Sequence, residues 1–568
     1  MHLWGYSMKM TLKRDCVKVE LEGEQLPSDV RYLEPYHFNR NRTIFYFSRR
    51  KLPEVLRVFG KDVSTLPEKV RDVYDLELWR RKQMQQLLLL GATGDPVVSD
   101  TLTLRPHQQL AREIAQLFPK FAFYYDTRTG KTPTSIAIIK DDLALHPENK
   151  WLVVAPLILL ELAWGEDFAK FAPDIKISIC HANTKKKRIE KIQEEANVYL
   201  INTESFVNYQ EYFEGITRMV VDESSSMKNK SSKFSKAIVE FSRTCDRLYL
   251  LSGTPAPNGA HEYYRQIQSI DYYGIQQSFA QFKNKYFINL ARDVRFEQLQ
   301  LRPDMQEELQ DLIAQYAIYT DKEDVLNTPG RRFIEHMMTM PKGLHEHYKK
   351  MRTELATEIG DVTVLAPSAA TKLNKLNQIS SGFIMDTEAI FNNKLAKKHG
   401  EEASAEEWYL LDDYRFRELK DLLEQFGDKQ VIIWANYRLE FQLIKQMLGN
   451  KCVTIYGETS AADKIAYVKA FKEGHAQYMV ANPASADKGL TLTNCYICVY
   501  FSLTWSYELF KQSMDRIYGD KSIQPHECEY YIMLAKGSVD VPLYREVLLG
   551  KQEVSYAILD HLKAADYD

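Results

Sequence analysis

The sequence predicts an α/β fold with two lobes, in which each lobe is a parallel sheet flanked by helices. Two series of short, continuously apolar runs alternate with helical stretches, and such runs are typical of strands buried on both faces. Strand signals fade between the two series, which predicts a helical insertion there. The predicted strands are 121–125, 151–155, 198–201, 219–221 and 248–251 in the first lobe, and 431–434, 452–455, 478–481, 497–501 and 530–533 in the second.

The predicted domains are a small N-terminal α/β domain (1–95), the first lobe (96–260), the helical insertion (261–410) and the second lobe with C-terminal helices (411–568). In the N-terminal domain, alternating apolar residues at 16–20 and an aromatic run at 43–47 predict strands, and the periodicity of 51–59 and 73–90 predicts helices. The Gly- and Pro-containing run at 91–96 is interpreted as a linker.

The composition excludes several classes of protein. Hydrophobic residues make up 45% and charged residues 27% of the 568 residues, as in soluble proteins with large cores. No run approaches the ~18 apolar residues of a membrane span, and the first ten residues lack the apolar segment of a signal peptide. The seven cysteines show no disulfide framework, which predicts a reducing, cytoplasmic location.

Two further features carry little functional information. Cys495 and Cys498 form a C-x-x-C within an apolar run, but no second pair completes a zinc site, so a buried strand is the better interpretation. The net charge of −3 does not by itself indicate a nucleic-acid partner, since local patches decide phosphate binding. A DNA partner must therefore be argued from motifs.

A phosphate-binding loop is predicted at 127–132, Thr-Arg-Thr-Gly-Lys-Thr. The loop follows a predicted strand and precedes a helical run, so backbone N–H groups and a helix N-terminus would face the phosphates. Lys131 is expected to reach the β- and γ-phosphates, and the Thr132 hydroxyl is expected to hold Mg²⁺. A chance Gly-Lys-Thr loop is the alternative, because Tyr125 stands where the full pattern has Gly. The predicted nucleotide-binding residues here are Thr127, Arg128, Thr129, Gly130, Lys131 and Thr132.

A second element favours the catalytic interpretation. The apolar strand at 219–221 ends in Asp222 and Glu223. Asp222 is expected to bind Mg²⁺, and Glu223 to orient and deprotonate the attacking water. Upstream of the loop, the Gln108 amide is expected to pair with the adenine edge, whereas His107 is interpreted as a surface residue at the start of a helix.

Nine motifs occur in a characteristic order, at 104–108, 126–132, 153–157, 201–204, 222–229, 251–258, 431–436, 485–493 and 512–516. Over residues 102–545 the chain resembles the Swi/Snf-type DNA translocases of helicase superfamily 2. The resemblance implies two RecA-like lobes, ATP and Mg²⁺ as cofactors, duplex DNA as the partner and a monomeric state. The compact length resembles bacterial or viral members, which implies the cytoplasm of a bacterium or an infected host.

The resemblance also implies roles for individual residues. Gln512 and Arg516 from the second lobe would complete the catalytic set of Lys131, Asp222 and Glu223 across a cleft, and closure of the lobes would drive movement along DNA. Gly489 would touch the nucleotide. The implied DNA-binding residues are Pro156, Asn202, Thr203, Thr254, Asn258, Ser485, Thr491 and Trp505.

Three positions depart from the family pattern. Tyr125 and Arg128 stand where the loop motif usually has glycines, and Gly519 stands where motif VI normally carries a second arginine. These departures leave two functions open besides the leading one, an active motor that remodels branched or protein-bound DNA. The runner-up is a degenerate ATPase that clamps DNA, and the third is a motor subunit associated with a nuclease.

The N-terminal domain is interpreted as a module that selects the DNA substrate. Basic clusters at 40–42, 49–51 and 80–82 lie close to aromatic residues, and such combinations suit a surface that follows phosphates and stacks bases. The region faintly resembles the substrate-recognition domains of annealing and branch-migration helicases. The alternative is a packing domain with solvated charges. The aromatic residues concerned are Phe38, Phe45, Tyr46 and Phe47.

Overall fold

The computed structural model describes residues 8–21, 36–38, 43–92, 97–99, 102–275, 278–290, 299–354, 356–359, 362–365, 369–399, 407–485 and 491–551. The chain divides into two compact units. Unit 1 comprises the described residues up to Val325, and unit 2 comprises those from Leu326 onward. Among the described helices, none is both long and apolar enough to cross a membrane.

Unit 1 begins with an antiparallel sheet of order β1-β2-β4-β3, packed against two helices. Alternate residues of β2 face the core of this small domain, and the buried aromatics of β4 join them. The elements are β1 Met8–Leu12, β2 Cys16–Leu21, β3 His37–Phe38, β4 Ile44–Ser48, α1 Leu52–Phe59 and α2 Glu68–Leu90. A short pair follows, β5 Val97–Ser99 and β6 Leu102–Thr103.

The main sheet of unit 1 has seven strands in the order β15-β7-β12-β11-β8-β10-β9, all parallel. Its strands are β7 Lys120–Tyr125, β8 Trp151–Ala155, β9 Ile177–Ile179, β10 Val198–Asn202, β11 Arg218–Val221, β12 Arg247–Leu251 and β15 Ala317–Thr320; β13 Phe287–Asn289 and β14 Leu299–Leu301 form a separate antiparallel pair.

Helices cover both faces of this sheet and enclose two apolar clusters. The helices are α3 Pro106–Leu117, α4 Lys131–Leu145, α5 Leu157–Leu159, α6 Glu166–Phe171, α7 Lys185–Gln193, α8 Thr203–Tyr209, α9 Lys233–Ser242, α10 Tyr263–Ile270, α11 Phe279–Tyr286, α12 Gln306–Ala314 and α13 Lys322–Val325. A π-helical turn, Leu160–Gly165, joins α5 to α6.

Unit 2 holds a six-stranded parallel sheet of order β16-β25-β24-β21-β23-β22. Its strands are β16 Arg331–Met338, β21 Val431–Trp434, β22 Cys452–Ile455, β23 Tyr478–Ala481, β24 Ile497–Tyr500 and β25 Cys528–Ala535. Two antiparallel pairs accompany it, β17 Ala356–Ile359 with β18 Val362–Leu365 and β19 Phe383–Met385 with β20 Trp408–Leu410. The helices are α14 Lys342–Glu354, α15 Ala369–Ser380, α16 Thr387–His399, α17 Tyr414–Gln425, α18 Arg438–Leu448, α19 Ala461–Lys472, α20 Tyr507–Met514 and α21 Asp540–Pro542.

The predicted fold class is confirmed, because each unit contains a parallel sheet of buried strands between layers of helices. The region 261–410, predicted as a helical insertion, also contains strands of both parallel sheets. It contains β15, which extends the first sheet, and β16, which extends the second. Cys495 and Cys498 are buried, and neither belongs to a metal-binding group among the described residues.

The predicted domain limits, including 1–95, stay a prediction. The small sheet and the first lobe fall together in unit 1, because α2 sends Met84 and Leu87 into an apolar cluster of the main sheet. The predicted linker at 91–96 lies mostly outside the described residues.

Candidate functional site

Three neighbouring strands of the first sheet end at the predicted catalytic motifs. In the order β7-β12-β11, the loops that follow begin at Asp126, Ser252 and Asp222. Carboxyl ends of parallel strands meet at one edge of a sheet, which is where ligands bind in open α/β folds. Three motifs that are spread over about 130 residues of sequence are thereby placed next to each other.

The phosphate loop connects β7 to α4, as predicted. Gly130 adopts φ +92°, and a Cβ there would lie 2.1 Å from the Gln108 amide nitrogen, so only glycine fits this position. The next residue, Lys131, begins the helix and donates from its Nζ to the Tyr125 carbonyl at 3.1 Å. Thr132 is half-buried in the first turn of the helix.

Tyr125 replaces a glycine of the full pattern without disturbing the loop. It is the last residue of β7, its side chain is fully buried, and its hydroxyl donates to the His107 carbonyl at 2.6 Å. Arg128 is different, because it adopts φ +67°, a left-handed conformation that disfavours residues other than glycine. Arg128 therefore carries a cost in backbone conformation, and Tyr125 does not.

The predicted water-activating pair lies in the loop after β11. Asp222 is buried and accepts from the Trp164 indole at 3.0 Å and from the Glu223 backbone N–H at 2.9 Å. Burial and the neighbouring Glu223 carboxylate raise the pKa of Asp222 to about 6, against a lowering effect of Lys131. Glu223 has φ +53°, and such strained residues cluster at functional sites.

The loop after β12 packs directly on the phosphate loop. A Cβ at Gly253 would lie 3.4 Å from the Tyr125 carbonyl and 3.5 Å from Lys131 Nζ. A Cβ at this position would be in ordinary van der Waals contact with the phosphate loop, so the two loops lie side by side. The structure thus brings Lys131 and the 251–258 motif together, as the order of motifs implied.

Gln266 joins the loops after β11 and β12 to strand β7, and it was missed by sequence reasoning. Its amide nitrogen donates to the Pro255 carbonyl at 2.8 Å, and its carbonyl oxygen accepts from Ser224 Oγ at 2.9 Å and from the Tyr124 hydroxyl at 3.1 Å. The side chain is fully buried. A lone glutamine on an amphipathic helix gives no signal of this role in the sequence.

Gln108 and His107 both support the phosphate loop from α3. The Gln108 amide nitrogen donates to the Gly130 carbonyl at 3.2 Å, and its oxygen accepts from Arg105 N at 2.8 Å. Both amide atoms are thus used within the chain, and adenine pairing stays a prediction. His107 was expected at the surface, which is wrong. It is buried, lies 2.8 Å from the Thr129 carbonyl, and burial lowers its pKa.

Four of the predicted DNA-binding residues of unit 1 lie at or just after the carboxyl ends of β8, β10 and β12, on the same edge of the sheet. Pro156 and Thr203 are half-buried. Asn202 and Thr254 are buried, and the Asn202 Oδ1 and Thr254 Oγ1 atoms have no hydrogen-bond partner within the described part of the chain. The fifth, Asn258, is exposed and donates to Glu262 at 2.8 Å.

In unit 2, the predicted residues that the structure describes lie after β23, after β24, or in and just after α20. Gln512 and Arg516 are buried at the end of α20, and the Arg516 carbonyl accepts from Leu492 N at 2.9 Å. This bond ties the 485–493 motif to the 512–516 motif. Arg331 stacks over the ring of Tyr518, 4.3 Å from its centroid, beside the position of the missing second arginine.

The remaining predictions for unit 2 concern four residues. Ser485, Thr491 and Trp505 are half-buried, and the Trp505 indole N–H has no partner among the residues that the structure describes. Gly489 lies outside the described residues.

The comparisons with known proteins agree with this arrangement. The SNF2-related domain model matches residues 124–398, and the helicase conserved C-terminal domain model matches residues 414–519. The chain belongs to the Swi/Snf-type family. As a member of that family, it is a DNA-dependent ATPase by class.

Individual relatives are distant. Putative protein p41 of Acyrthosiphon pisum secondary endosymbiont phage 1 is 23% identical over 82% of this chain and 99% of its own length. The SWI/SNF-related regulator of chromatin subfamily A-like protein 1 of Xenopus tropicalis is 25% identical over 73% of the chain. The RAD54-like DNA repair and recombination protein of Drosophila yakuba is 22% identical over 84%.

The coverage of these relatives is uneven. The chain spans nearly the whole phage protein but 40% of the Xenopus protein and 66% of the Drosophila protein. A solved structure of the Sulfolobus solfataricus SWI2/SNF2 ATPase core in complex with dsDNA is 18% identical, covering 84% of this chain and 96% of that chain with a TM-score of 0.37.

The N-terminal basic clusters of this Swi/Snf-type chain are largely used in packing. Arg50 donates to the backbone carbonyls of Gln315 and Lys120, and Arg81 donates to Glu54 at 2.5 Å. Arg80 pairs with Glu77 at 2.7 Å. These contacts favour the packing interpretation for the clusters at 49–51 and 80–82.

The aromatic residues of the small sheet divide in the same way. Phe45 and Phe47 belong to its core, whereas Phe38 on the edge strand is 43% exposed. The cluster at 40–42 lies outside the described residues.

Proposed function

We propose that this chain is an ATP-driven translocase that moves along double-stranded DNA and remodels branched or protein-bound DNA. The observation that carries the proposal is the convergence of Lys131, Asp222 and Glu223 at one edge of the first sheet. These are a phosphate-binding cation, a metal-binding carboxylate and a base, the parts that phosphoryl transfer to water requires.

The donor set at this edge fits Mg²⁺. Mg²⁺ in nucleotide sites is held by one or two protein oxygens and by the substrate phosphates, and Asp222 with Thr132 would supply the two protein oxygens. Asp222 forms no ion pair with the residues that the structure describes, and the Glu223 carboxylate raises its pKa. Lys131 offsets this effect only in part, and a bound cation would supply further compensation. When bound, Mg²⁺ would neutralise charge on the phosphate oxygens.

The chain's own residues would perform the remaining steps. Lys131 would bind the terminal phosphates from the first turn of α4. Glu223 would accept a proton from the attacking water, and the indole of Trp164 would keep the Asp222 carboxylate in its orientation. Arg516, in unit 2, would stabilise the negative charge of the transition state.

DNA would bind through the loops that follow β8, β10 and β12. Asn202 and Thr254 have buried polar atoms without partners in the described part of the chain, and such atoms cost free energy unless a ligand or water satisfies them. Contacts with the backbone would be nearly independent of sequence and sensitive to salt. In the N-terminal domain, exposed Phe38 would stack on a base at a junction.

A DNA clamp with little ATP turnover is the second candidate, because Arg128 adopts a strained left-handed conformation and Gly519 replaces an arginine. The deciding experiment measures phosphate release with single-stranded, duplex and forked DNA. The translocase proposal predicts stimulation by duplex DNA, and the loss of it in Lys131→Ala. Duplex binding without stimulated hydrolysis would favour the clamp and contradict the proposal.

A further inference from the structure

A fully buried lysine lies behind the phosphate loop. Lys322 is the first residue of α13, directly after the edge strand β15, which pairs with β7. Its side chain has no exposed surface. The ammonium donates to Thr127 Oγ1 at 2.7 Å and lies 3.8 Å from Asp126 Oδ2. Lys322 is about 190 residues from the loop in sequence. Neither the sequence motif of the loop nor the local hydrophobic periodicity predicts this contact.

Asp126, which Lys322 approaches, already organises the loop. Its Oδ1 accepts from Thr127 N at 2.7 Å, and its backbone carbonyl accepts from Thr129 Oγ1 at 2.8 Å. Its own N–H donates to the Thr320 carbonyl at 3.0 Å. Lys322 therefore contacts the two residues that fix the path of the chain as it leaves β7.

The charges around Lys322 explain why the ammonium is tolerated in the interior. A buried charge requires a partner of opposite sign. The carboxylates of Asp126, Asp321 and Glu323 each offer an oxygen within 4.8 Å of the others, so negative charge is concentrated beside the ammonium. The three carboxylates alone would repel one another, and Lys322 supplies a compensating positive charge.

The loop needs support from outside because part of its backbone is strained. Arg128 adopts φ +67°, a conformation that only glycine adopts without strain. Strained residues persist only when the surroundings determine their conformation. His107 holds the Thr129 carbonyl, Gln108 holds the Gly130 carbonyl, and Lys322 holds Thr127. The three supports flank the strained residue on both sides.

We propose that Lys322 is a positioning residue that holds the phosphate loop in its nucleotide-binding conformation. The inference rests on the proposed function of the loop and adds a residue from the end of unit 1 to it. Lys322 acts through Thr127 and Asp126 rather than on the phosphates. Its loss should therefore weaken nucleotide binding, because the binding-competent conformation becomes a minor one, and leave the chemical step nearly intact.

The test uses Lys322→Met in the full chain, with the affinity for a fluorescent ATP analogue measured without DNA and kcat and KM measured with duplex DNA. We expect the Kd and KM for ATP to rise roughly tenfold or more, as for a loop whose competent state has become a minor one, with kcat within about threefold of the parent. Unchanged affinity would overturn the proposal.

Lys120→Met is the matched control. Lys120 is the first residue of the same strand, β7, its ammonium donates to the Ser242 carbonyl at 2.9 Å, and burial lowers its pKa. The Lys120→Met variant therefore removes a partly buried lysine from the end of β7 that lies opposite the phosphate loop. We expect its ATP affinity to match the parent. An equal loss of affinity in both variants would reduce Lys322 to a general contributor to stability and contradict the proposal.

A rescue variant separates positioning from stability. Arg128→Gly removes the left-handed strain, so the loop should keep its conformation without support, and adding it to Lys322→Met should restore a large part of the ATP affinity. If the two substitutions each lower the ATP affinity and their effects add in the double variant, the proposal is contradicted. If Lys322→Met does not fold, Thr127→Val removes the acceptor while keeping the side-chain shape, and it must weaken ATP binding several-fold for the proposal to stand.

These measurements remain informative if the proposed motor function fails. ATP affinity without DNA reports on the loop alone, whereas stimulation by duplex DNA reports on the motor. A parent protein that binds ATP without DNA-stimulated hydrolysis would reject the translocase and still leave the role of Lys322 testable.

Discussion

The strands of the first sheet have their amino ends at one edge of the sheet (the amino edge) and their carboxyl ends at the other (the carboxyl edge). A buried aspartate accepts from a tryptophan indole at each of these edges, but the charges around the two aspartates are opposite. At the amino edge, Asp142 accepts from Trp151 at 3.0 Å and from Arg218 at 2.7 Å, with Arg247 at 3.3 Å. At the carboxyl edge, Asp222 accepts from Trp164 and has Glu223 as its neighbour.

The difference shows how burial alone fails to identify a site. Asp142 is compensated by two guanidinium groups, so its charge is already balanced within the fold. Asp222 is buried beside a second carboxylate, and its pKa is raised to about 6. A buried carboxylate whose charge is compensated only in part is a candidate for binding a cation, and perturbed groups of this kind cluster at functional sites.

Unit 2 offers the same contrast between two buried arginines, and here we expect the largest effect. Arg516→Ala should lower ATP turnover roughly a thousandfold or more, as for arginine fingers, with nucleotide affinity little changed. Arg415 pairs with Asp540 at 2.9 Å in the interior. Arg415→Ala should instead lower the free energy of unfolding by about 3–5 kcal/mol.

Steady-state hydrolysis and denaturant unfolding of both arginine variants check this prediction. Near-normal turnover in Arg516→Ala would show that unit 2 does not complete the site, and the DNA-clamp proposal would then be preferred.

At the carboxyl edge, Glu223→Gln should lower hydrolysis by roughly a hundredfold to ten-thousandfold, the usual contribution of a general base. ATP binding should be retained, because the amide keeps the shape of the side chain and removes only the basic group. Phosphate release and ATP affinity are compared with Glu190→Gln, an exposed glutamate on α7. Hydrolysis at the parent's rate in Glu223→Gln would remove the residue from catalysis.

At the amino edge, Asp142→Asn should lower the free energy of unfolding by about 3 kcal/mol, because the two arginines lose their compensating charge. Chemical denaturation gives the value. ATP affinity of the folded protein should equal that of the parent, since the proposed nucleotide-binding loops lie at the other end of the strands. A changed affinity would show that the two edges are coupled.

The raised pKa of Asp222 predicts a pH dependence in the absence of Mg²⁺ and nucleotide. Between its ordinary value of 3.8 and about 6, the folded state binds more protons than the unfolded state, so stability falls as pH rises through this window. The loss is about 2–3 kcal/mol at most, and it should be missing in Asp222→Asn. Thermal melts of the two proteins from pH 4 to pH 7 measure the difference.

The smallest effect is expected in the N-terminal domain. Phe38→Ala should lower activity on forked DNA several-fold, in line with roughly 1 kcal/mol for a single stacked base, and leave activity on plain duplex unchanged. Phe45 is unsuitable as a control because it belongs to the core, so Lys82→Ala, on the exposed face of α2, serves instead. Equal losses on both DNA substrates would leave the domain with a packing role.

The sequence predicted the central strands because they are apolar throughout, and it missed strands at the edges. The missed strands of the two parallel sheets, β9, β15 and β16, all lie at an edge of their sheet. Arg331–Met338 carries Arg, Glu and His, since an edge strand is less enclosed by neighbours. β9 and β16 therefore lack the continuous apolar signature on which the prediction depended, whereas β15 is buried throughout and was missed within a region assigned to helices.

The residues of the candidate site could be predicted where they belong to a recognisable sequence motif. Lys131, Asp222 and Glu223 lie where the strand-loop pattern placed them. Lys322 and Gln266 act over long distances in sequence, and their contacts depend on the order of strands in the sheet. The burial of His107 likewise follows from the phosphate loop packing against α3, which local sequence does not reveal.

The most direct test of the contrast between the two edges compares Asp222→Asn with Asp142→Asn in one series of DNA-stimulated ATPase and unfolding measurements. We predict that Asp222→Asn loses at least a hundredfold in turnover, as expected if the residue holds the catalytic metal, with unchanged or increased stability. Asp142→Asn should lose stability and keep turnover per folded molecule. Near-parental turnover in Asp222→Asn would contradict the assignment of the nucleotide site to the carboxyl edge.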